Sequence, residues 1–340
     1  MKIHIVIFGL SLLLFSVALG GCAGTRVPAP ISETRLLLDT VCTITIYDNQ
    51  DRAILTKALD LCAEYESLFS ITLEGSDIWR INHAGGAPVS VDPQTAELIR
   101  AGVEYGELSD GMFDITIGRL STLWDFSGNS GVPSDADIEL ARGTVDYRQV
   151  VISGNTVQLK NSGTWIDLGG IAKGYIADRT ADLLRVNGVR AAVIDLGGNI
   201  VTLGQKPDGS IWRVGVTDPF GERSDLIGVI ETSGASVVSS GVYERRFVEN
   251  GVLYHHILDP NTGMPVKCDV VGATVVTESS MDGDALSTII VLTGINKPDG
   301  PVDGIERAAS ILDRQSGFIG AVIILDDGNI LQHGDVNFKQ

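Results

Sequence analysis

"AAVIDLGGNIVTLG", Ala191 to Gly204, is the stretch on which the fold turns. Its apolar residues alternate as in a strand, and two consecutive glycines interrupt it, which predicts a bulge or a close backbone approach. The letters DLGG also open "DLGGIAKGYIAD" at Asp167. There a short strand (Trp165 to Asp167) ends, the glycines turn, and periodicity predicts a helix from about Ile171 to Val186. No similarity extends around the two copies, so neither is a unit of a long repeat. Each is a turn or an edge of a site.

Outward from this stretch, "RLLLDTVCTITIYD" (Arg35 to Asp48) is β-branched and reads as one strand. Ile54, Ala58, Leu61, Cys62, Tyr65, Leu68 and Phe69 recur at helical spacing. A second helix is predicted from Asp92 as N-cap and Pro93 at the first helical position to the vicinity of Ser109–Gly111. "MFDITIGRL" (Met112 to Leu120) reads as a short strand or extended segment. "RRFVENGVLYHHIL" (Arg245 to Leu258) is a hairpin turning on Asn250-Gly251. "DVVGATVVTES" (Asp269 to Ser279) is a strand feeding a helix that starts near Asp284. A last helix, "IERAASILDR" (Ile305 to Arg314), and a hairpin turning on Asp327-Gly328 close the chain. Hairpins outnumber βαβ crossovers, so the fold class is α+β rather than a doubly wound sheet.

The first residues of the 340 stand apart. Met1-Lys2, an apolar run and "LGGC" (Leu19 to Cys22) have the form of a secretory signal, residues 1–21. The run is short for a membrane span, and no charged stop-transfer cluster follows. Leu-Gly-Gly-Cys resembles the bacterial lipobox, with simple secretion as the alternative. On that resemblance Cys22 is a lipidated N-terminus, 22–34 a tether and 35–340 the folded domain, exported and anchored to a bacterial membrane facing the periplasm or cell exterior. The net charge of −18 argues against nucleic-acid or anionic-membrane binding. It also means that any phosphate site needs local compensation from a metal, a lysine or backbone N–H groups. Cys42, Cys62 and Cys268 form no zinc or redox spacing; one bridge or three buried thiols both fit.

Three stretches carry chemistry. In the first, a helix N-terminus with exposed N–H groups and Lys173 one turn in suits an anion, though a tight turn with a surface lysine is as good a reading. In "MDGDALST" (Met281 to Thr288), Asp284 and Thr288 share one helix face and offer hard oxygens suited to Mg²⁺ on a diphosphate. Helix capping by Asp282 or Asp284 is the equal alternative. In "YHHILDPNTGMPV" (Tyr254 to Val266), His255 and His256 point to opposite faces of a strand, so at most one enters a site. "SSGVYERRF" (Ser239 to Phe247) is a hydroxyl-rich turn with a basic edge.

"DLGGIAKGYIAD", "DLGGN", "SSGVYERRF", "HILDPNTGMPV" and "MDGDALST" together resemble, in order and spacing, the ApbE family of FAD:protein FMN transferases, from about Leu36 to the C-terminus. The resemblance implies a tunnelling-type (T-fold) α+β architecture with antiparallel sheets and packed helices. It implies an enzyme that moves FMN from FAD to a threonine or serine of an acceptor protein, of the redox-membrane-complex subunit type, releasing AMP. It further implies Mg²⁺ held by Asp284, Thr288 and the Gly170 carbonyl, FAD contacts at Met112, Phe113, Asp114, Asp167, Lys173 and Ile257, and His256 as the catalytic residue. The second DLGG would wall the site with backbone. The chain departs from the family at Leu38-Asp39-Thr40, where Met-Gly-Thr is usual, and at Ile71-Thr72, where an aromatic flavin contact is expected. These departures keep a Mg²⁺-dependent FAD pyrophosphatase open as an alternative; a second is a lipid-anchored flavin- or solute-binding protein without turnover, against which the Asp284/Thr288 pair and His256 count.

Overall fold

The computed structural model describes residues 28–126, 131–222, 224–294 and 304–340; the signal stretch and Cys22 lie outside them. The elements in chain order begin with β1 (Ile31–Leu37), β2 (Thr40–Ile46), α1 (Arg52–Phe69), α2 (Asp77–Asn82), β3 (Val89–Ser90) and α3 (Pro93–Leu108). They continue with α4 (Gly118–Trp124), α5 (Asp135–Arg142), β4 (Val150–Ser153), β5 (Thr156–Leu159), α6 (Ala172–Val186), β6 (Ala192–Leu196) and β7 (Asn199–Leu203). Next are β8 (Trp212–Thr217), β9 (Leu226–Thr232), β10 (Ser236–Gly241), β11 (Arg246–Glu249), β12 (Val252–His255) and β13 (Val270–Thr277). The chain closes with α7 (Ser280–Thr293), α8 (Gly304–Asp313), β14 (Phe318–Leu325), β15 (Ile330–Gly334) and β16 (Phe338–Lys339).

Eight strands form one antiparallel sheet in the order β1-β2-β6-β7-β10-β13-β14-β15. The α+β expectation holds, with antiparallel sheets and helices packed on them. One face of the sheet buries Cys42, Ile44, Ile194 and Ala273 beneath α1, α6 and α7. Part of the opposite face, through Val237, Val276 and Val322, packs on Val214 and Ile230 of the small β16-β9-β8 sheet. A satellite cluster of Leu120, Trp124, Ile138 and Leu258 joins α4 and α5 to the β11–β12 hairpin, whose Phe247 and Tyr254 rings stack together.

Helices α1 and α3 lie where the sequence puts them. Asp51 accepts from Ala53 N at the start of α1, and Asp92 caps α3 with Pro93 behind it. Three readings are corrected. "AAVIDLGGNIVTLG" is no bulged strand but the β6–β7 hairpin, with Gly197 and Gly198 at φ +67° and +93°, the left-handed pair that a two-residue turn needs. "RLLLDTVCTITIYD" is likewise a hairpin, β1–β2, whose β1 takes in Ile31–Thr34 from the expected tether. Its turn places Leu38 and Asp39 at φ +56°, a conformation a leucine rarely adopts, held here by Leu38 N donating to Glu66 Oε1 at 2.7 Å. "MFDITIGRL" is a turn running into α4 rather than a strand; only Ile117 makes a bridge, with Trp165. Gly118 lies so close to the Trp165 and Ile166 backbone that this packing overrides the β-branched composition. Among the described residues Cys42 and Cys62 are buried free thiols, and Cys268 is half-buried.

The β6–β7 turn yields a test. A Cβ on Gly198 meets nothing within 4 Å, whereas one on Gly197 falls 2.2 Å from Thr40 Oγ1. Gly198→Ala should therefore cost about 1 kcal/mol from the left-handed backbone alone. Gly197→Ala should add about 1–3 kcal/mol of overpacking, read as the difference between their urea-unfolding midpoints.

Candidate active site

The site is built where α6 crosses the start of α7. Asp167 opens the first DLGG by an Asx turn: its Oδ1 accepts from Gly169 N at 2.8 Å, while Oδ2 accepts from Ser121 Oγ of α4 at 2.6 Å. Neither Gly169 nor Gly170 takes a positive φ, so this turn feeds a helix instead of reversing a strand. Gly170 faces the edge of the Phe113 ring, 2.8 Å from where a Cβ would stand. Lys173 follows in the first turn of α6, half-buried.

Gly174 is the contact point. A Cβ there would lie 2.3 Å from Ser280 O and 2.6 Å from Met281 Cα, so only glycine lets the two helices meet. The approach delivers Gly174 N to Asp284 Oδ2 at 2.9 Å. Asp284 is 4% exposed, and burial raises its carboxyl above the usual range, opposed by the nearby Lys173 ammonium and this N–H. One turn on, Thr288 Oγ1 lies 3.1 Å from Ser240 Oγ, which also touches Ser287 Oγ at 2.8 Å. The expected helix start near Asp284 is corrected: α7 begins at Ser280 with Ser279 as N-cap, accepting from Asp282 N. Neither aspartate caps the helix. Asp282 instead accepts from Tyr105 OH at 2.5 Å.

The histidines divide as their alternation predicts. His255 is buried and its Nε2 meets Val266 O at 3.1 Å. His256 is half-buried, with Nδ1 sealed from solvent and without a hydrogen-bond partner. Burial, then Arg245 and Lys173, lower its pKa to about 3, so at neutral pH it is an uncharged imidazole facing two cations.

The structure thus brings Lys173, Asp284 and His256 within electrostatic reach, with Thr288 on the helix face of Asp284 and Gly170 at the turn before Lys173. Met112 lies beside the "DPNTGMP" turn, its Sδ 3.9 Å from Asn261 Nδ2. Two more of the predicted flavin-contact residues are buried, as Phe113 is. Asp114 is 8% exposed, and its oxygens accept from Thr116 N and Oγ1 and from Tyr147 N. Ile257 is 5% exposed in the main core. Sequence reading missed Ser240, Asp178 and Asn199. Asp178 closes the "KGYIAD" run and Asn199 follows the second DLGG, and both reach the first turn of α7. The second DLGG therefore contributes a side chain next to it, not only a wall.

Among the described residues no three His, Cys, Asp or Glu side chains converge as a metal cluster. A divalent cation here would take one carboxylate, from Asp284, together with hydroxyl and carbonyl oxygens. That is the donor set of a hard ion sharing its coordination with a phosphate.

An antiparallel α+β chain with a buried aspartate on one helix set against a lysine-bearing helix start is the class that these features define. The ApbE family profile matches residues 38–303, and the chain belongs to that family. An FAD:protein FMN transferase of Klebsiella pneumoniae is 37% identical over 271 residues, 78% of this chain and 83% of that protein. One of Treponema pallidum is 34% identical over 300 residues, 82% and 83% of the two chains. Among solved structures, the ApbE protein of Thermotoga maritima superposes with a TM-score of 0.79 at 34% identity, over 89% of this chain and 97% of that one. The flavin transferase ApbE from Vibrio cholerae does so with a TM-score of 0.78 at 25% identity, over 90% and 97%.

The neutral histidines give a pH dependence of stability. Burial is the first cause of lowering in both, so the unfolded chain binds protons that the folded chain refuses. Their contribution is complete above the unfolded value near 6.5 and is lost as pH falls below it. His256→Gln should remove about 2 kcal/mol of the stability loss between pH 7 and pH 5, measured by urea unfolding at both values.

Proposed function

We propose that the chain is a Mg²⁺-dependent FAD:protein FMN transferase. The observation that carries this reading is that Lys173, beside the α6–α7 crossing, is within electrostatic reach of both Asp284 and His256, with Thr288 one turn along α7 from Asp284, in a chain of the ApbE family. In the reaction, a threonine or serine hydroxyl of the acceptor attacks the FMN phosphorus of FAD. The new P–O bond forms as the phosphoanhydride breaks, AMP departs with the bridging oxygen, and the hydroxyl proton passes to His256.

Each residue has a physical task. Lys173 offsets diphosphate charge on a protein whose net charge of −18 would otherwise repel it. Asp284, Thr288 and the Gly170 carbonyl would hold Mg²⁺, which supplies charge neutralisation at the diphosphate. His256 is uncharged before substrate enters and so is ready to accept a proton; bound diphosphate beside it would raise its affinity for that proton. Transfer of this kind depends on positioning and electrostatics more than on covalent help from the protein. Phe113 and Met112 border the turn at Gly170 and Asn261 and would line the flavin nucleotide site.

The acceptor is a protein of the redox-membrane-complex type, which suits an exported enzyme tethered by lipid at Cys22. That placement rests on the signal stretch and the Leu-Gly-Gly-Cys motif. No helix among the described residues is long and apolar enough to cross a membrane. Replacing Cys22 by alanine should abolish lipid-linked processing of the precursor, seen as loss of the globomycin-sensitive mobility shift.

The decisive assay incubates the protein with FAD, Mg²⁺ and a peptide bearing an acceptor threonine. The expected result is a peptide mass gain of one FMN with stoichiometric AMP, both abolished by EDTA. AMP without adduct would mark a pyrophosphatase, and bound FAD without AMP a flavin-binding protein. His256→Ala should lower transfer by about 10²–10⁴-fold while FAD binding persists; loss of both together would make the histidine structural.

A further inference from the structure

Asp284 is the buried acid of the site, and its direction is set by how α7 is held. The first turn of α7 is gripped from two sides. From α6, Asp178 takes both backbone donors at the start of the helix. Its Oδ1 accepts from Ser280 N at 2.8 Å and its Oδ2 from Met281 N at 3.0 Å, and Oδ2 also receives the N-cap hydroxyl of Ser279 at 3.0 Å. From the sheet, Asn199 Oδ1 accepts from Ser280 Oγ at 2.5 Å, and Ser236 Oγ donates to that same hydroxyl at 2.8 Å. Asn199, Ser236 and Ser280 are at most 1% exposed, so water does not compete for these bonds.

The grip bears on the ligand stripe. Ser280, Asp284 and Thr288 stand four residues apart and follow one helix face. Asp178 also lies one helical turn beyond Gly174, whose N–H holds Asp284 Oδ2. One helix therefore fixes both the backbone that starts α7 and the carboxylate that projects from it. A donor-rich helix start is satisfied by any capping group, and Ser279 already provides one. A second, carboxylate cap from another helix adds orientation.

We propose that Asp178 and Asn199 are positioning residues for metal binding, clamping the start of α7 so that the Asp284 carboxylate and Thr288 hydroxyl meet the cation together. This rests on the reading of Asp284 as a metal ligand, and it concerns residues that do not touch the metal.

The test measures Mn²⁺ affinity of the full chain by electron paramagnetic resonance, with no flavin present, alongside thermal melting. Asp178→Asn keeps the volume but loses acceptor capacity and charge, and Asn199→Ala removes the grip from the sheet. Partners of this kind typically contribute 10–100-fold to metal affinity. Each variant that melts cooperatively should therefore bind Mn²⁺ about tenfold more weakly, and saturating Mn²⁺ should restore its turnover with FAD. Unchanged Mn²⁺ affinity in a variant with lowered melting temperature would assign the clamp to stability alone and overturn the proposal. If Asp178→Asn does not fold, Asn199→Ala decides by the same criterion. Asp284→Asn is the control. If that variant binds Mn²⁺ as the parent does, the metal reading itself fails; if it loses Mn²⁺ while the clamp variants keep it, only the present proposal does.

Discussion

A helix crossing with no side chain at its centre governs the site. Gly174 lets α6 touch the backbone of α7 at Ser280 and Met281, and the same residue's N–H holds Asp284. Any larger residue would push the helices apart and withdraw the hydrogen bond in one step. The cost of the close approach is a buried acid near a second acid, Asp178, which adds to the charge that Asp284 must bear. Lys173 and the Gly174 N–H oppose that burden, as a bound cation would. The geometry accepts a carboxylate whose burial Lys173 and the Gly174 N–H oppose.

The same economy appears in the histidine. His256 is held uncharged by burial and by the two cations at its border. An anion pairing with Lys173 and Arg245 would therefore raise the basicity of His256. On a chain of net charge −18, Lys173 and Arg245 bring positive charge to the border of His256. The uncharged imidazole avoids adding a third like charge before substrate arrives.

What could be read from the sequence was local. Caps and periodicity placed α1, α3 and α6, and the i, i+4 spacing of Asp284 and Thr288 put both oxygens on one face, as found. The failures were equally physical. Leu38 and Asp39 turn a hairpin in a conformation that no propensity assigns to leucine, because Glu66 of α1 secures the turn from outside. The sequence points to a start of α7 near Asp284, yet the helix opens four residues earlier at Ser280. Ser279 caps it there, and Asp178, about a hundred positions earlier, supports it. Asp178, Asn199 and Ser240 act only through contacts between distant segments. Nothing in their own neighbourhoods announces those contacts.

The two DLGG stretches show where local reading stops. In both, the aspartate side chain accepts an N–H from a glycine just after it, Gly169 in one and Gly198 in the other. The outcomes then diverge. Gly197 and Gly198 adopt left-handed angles because β6 must reverse at once to pair with β7, and Thr40 of the neighbouring hairpin closes over the space a side chain would need. Gly169 and Gly170 stay in ordinary backbone regions because Phe113 and the α6 start leave room for a helix but not for a Cβ at Gly170. Four identical letters permit both turns, and the partner across the sheet or the ring across the site selects between them. The two stretches nonetheless converge, since Lys173 and Gly174 follow one and Asn199 follows the other, and all three bear on the first turns of α7. A motif's meaning in this fold is therefore set by which helix its last residue reaches.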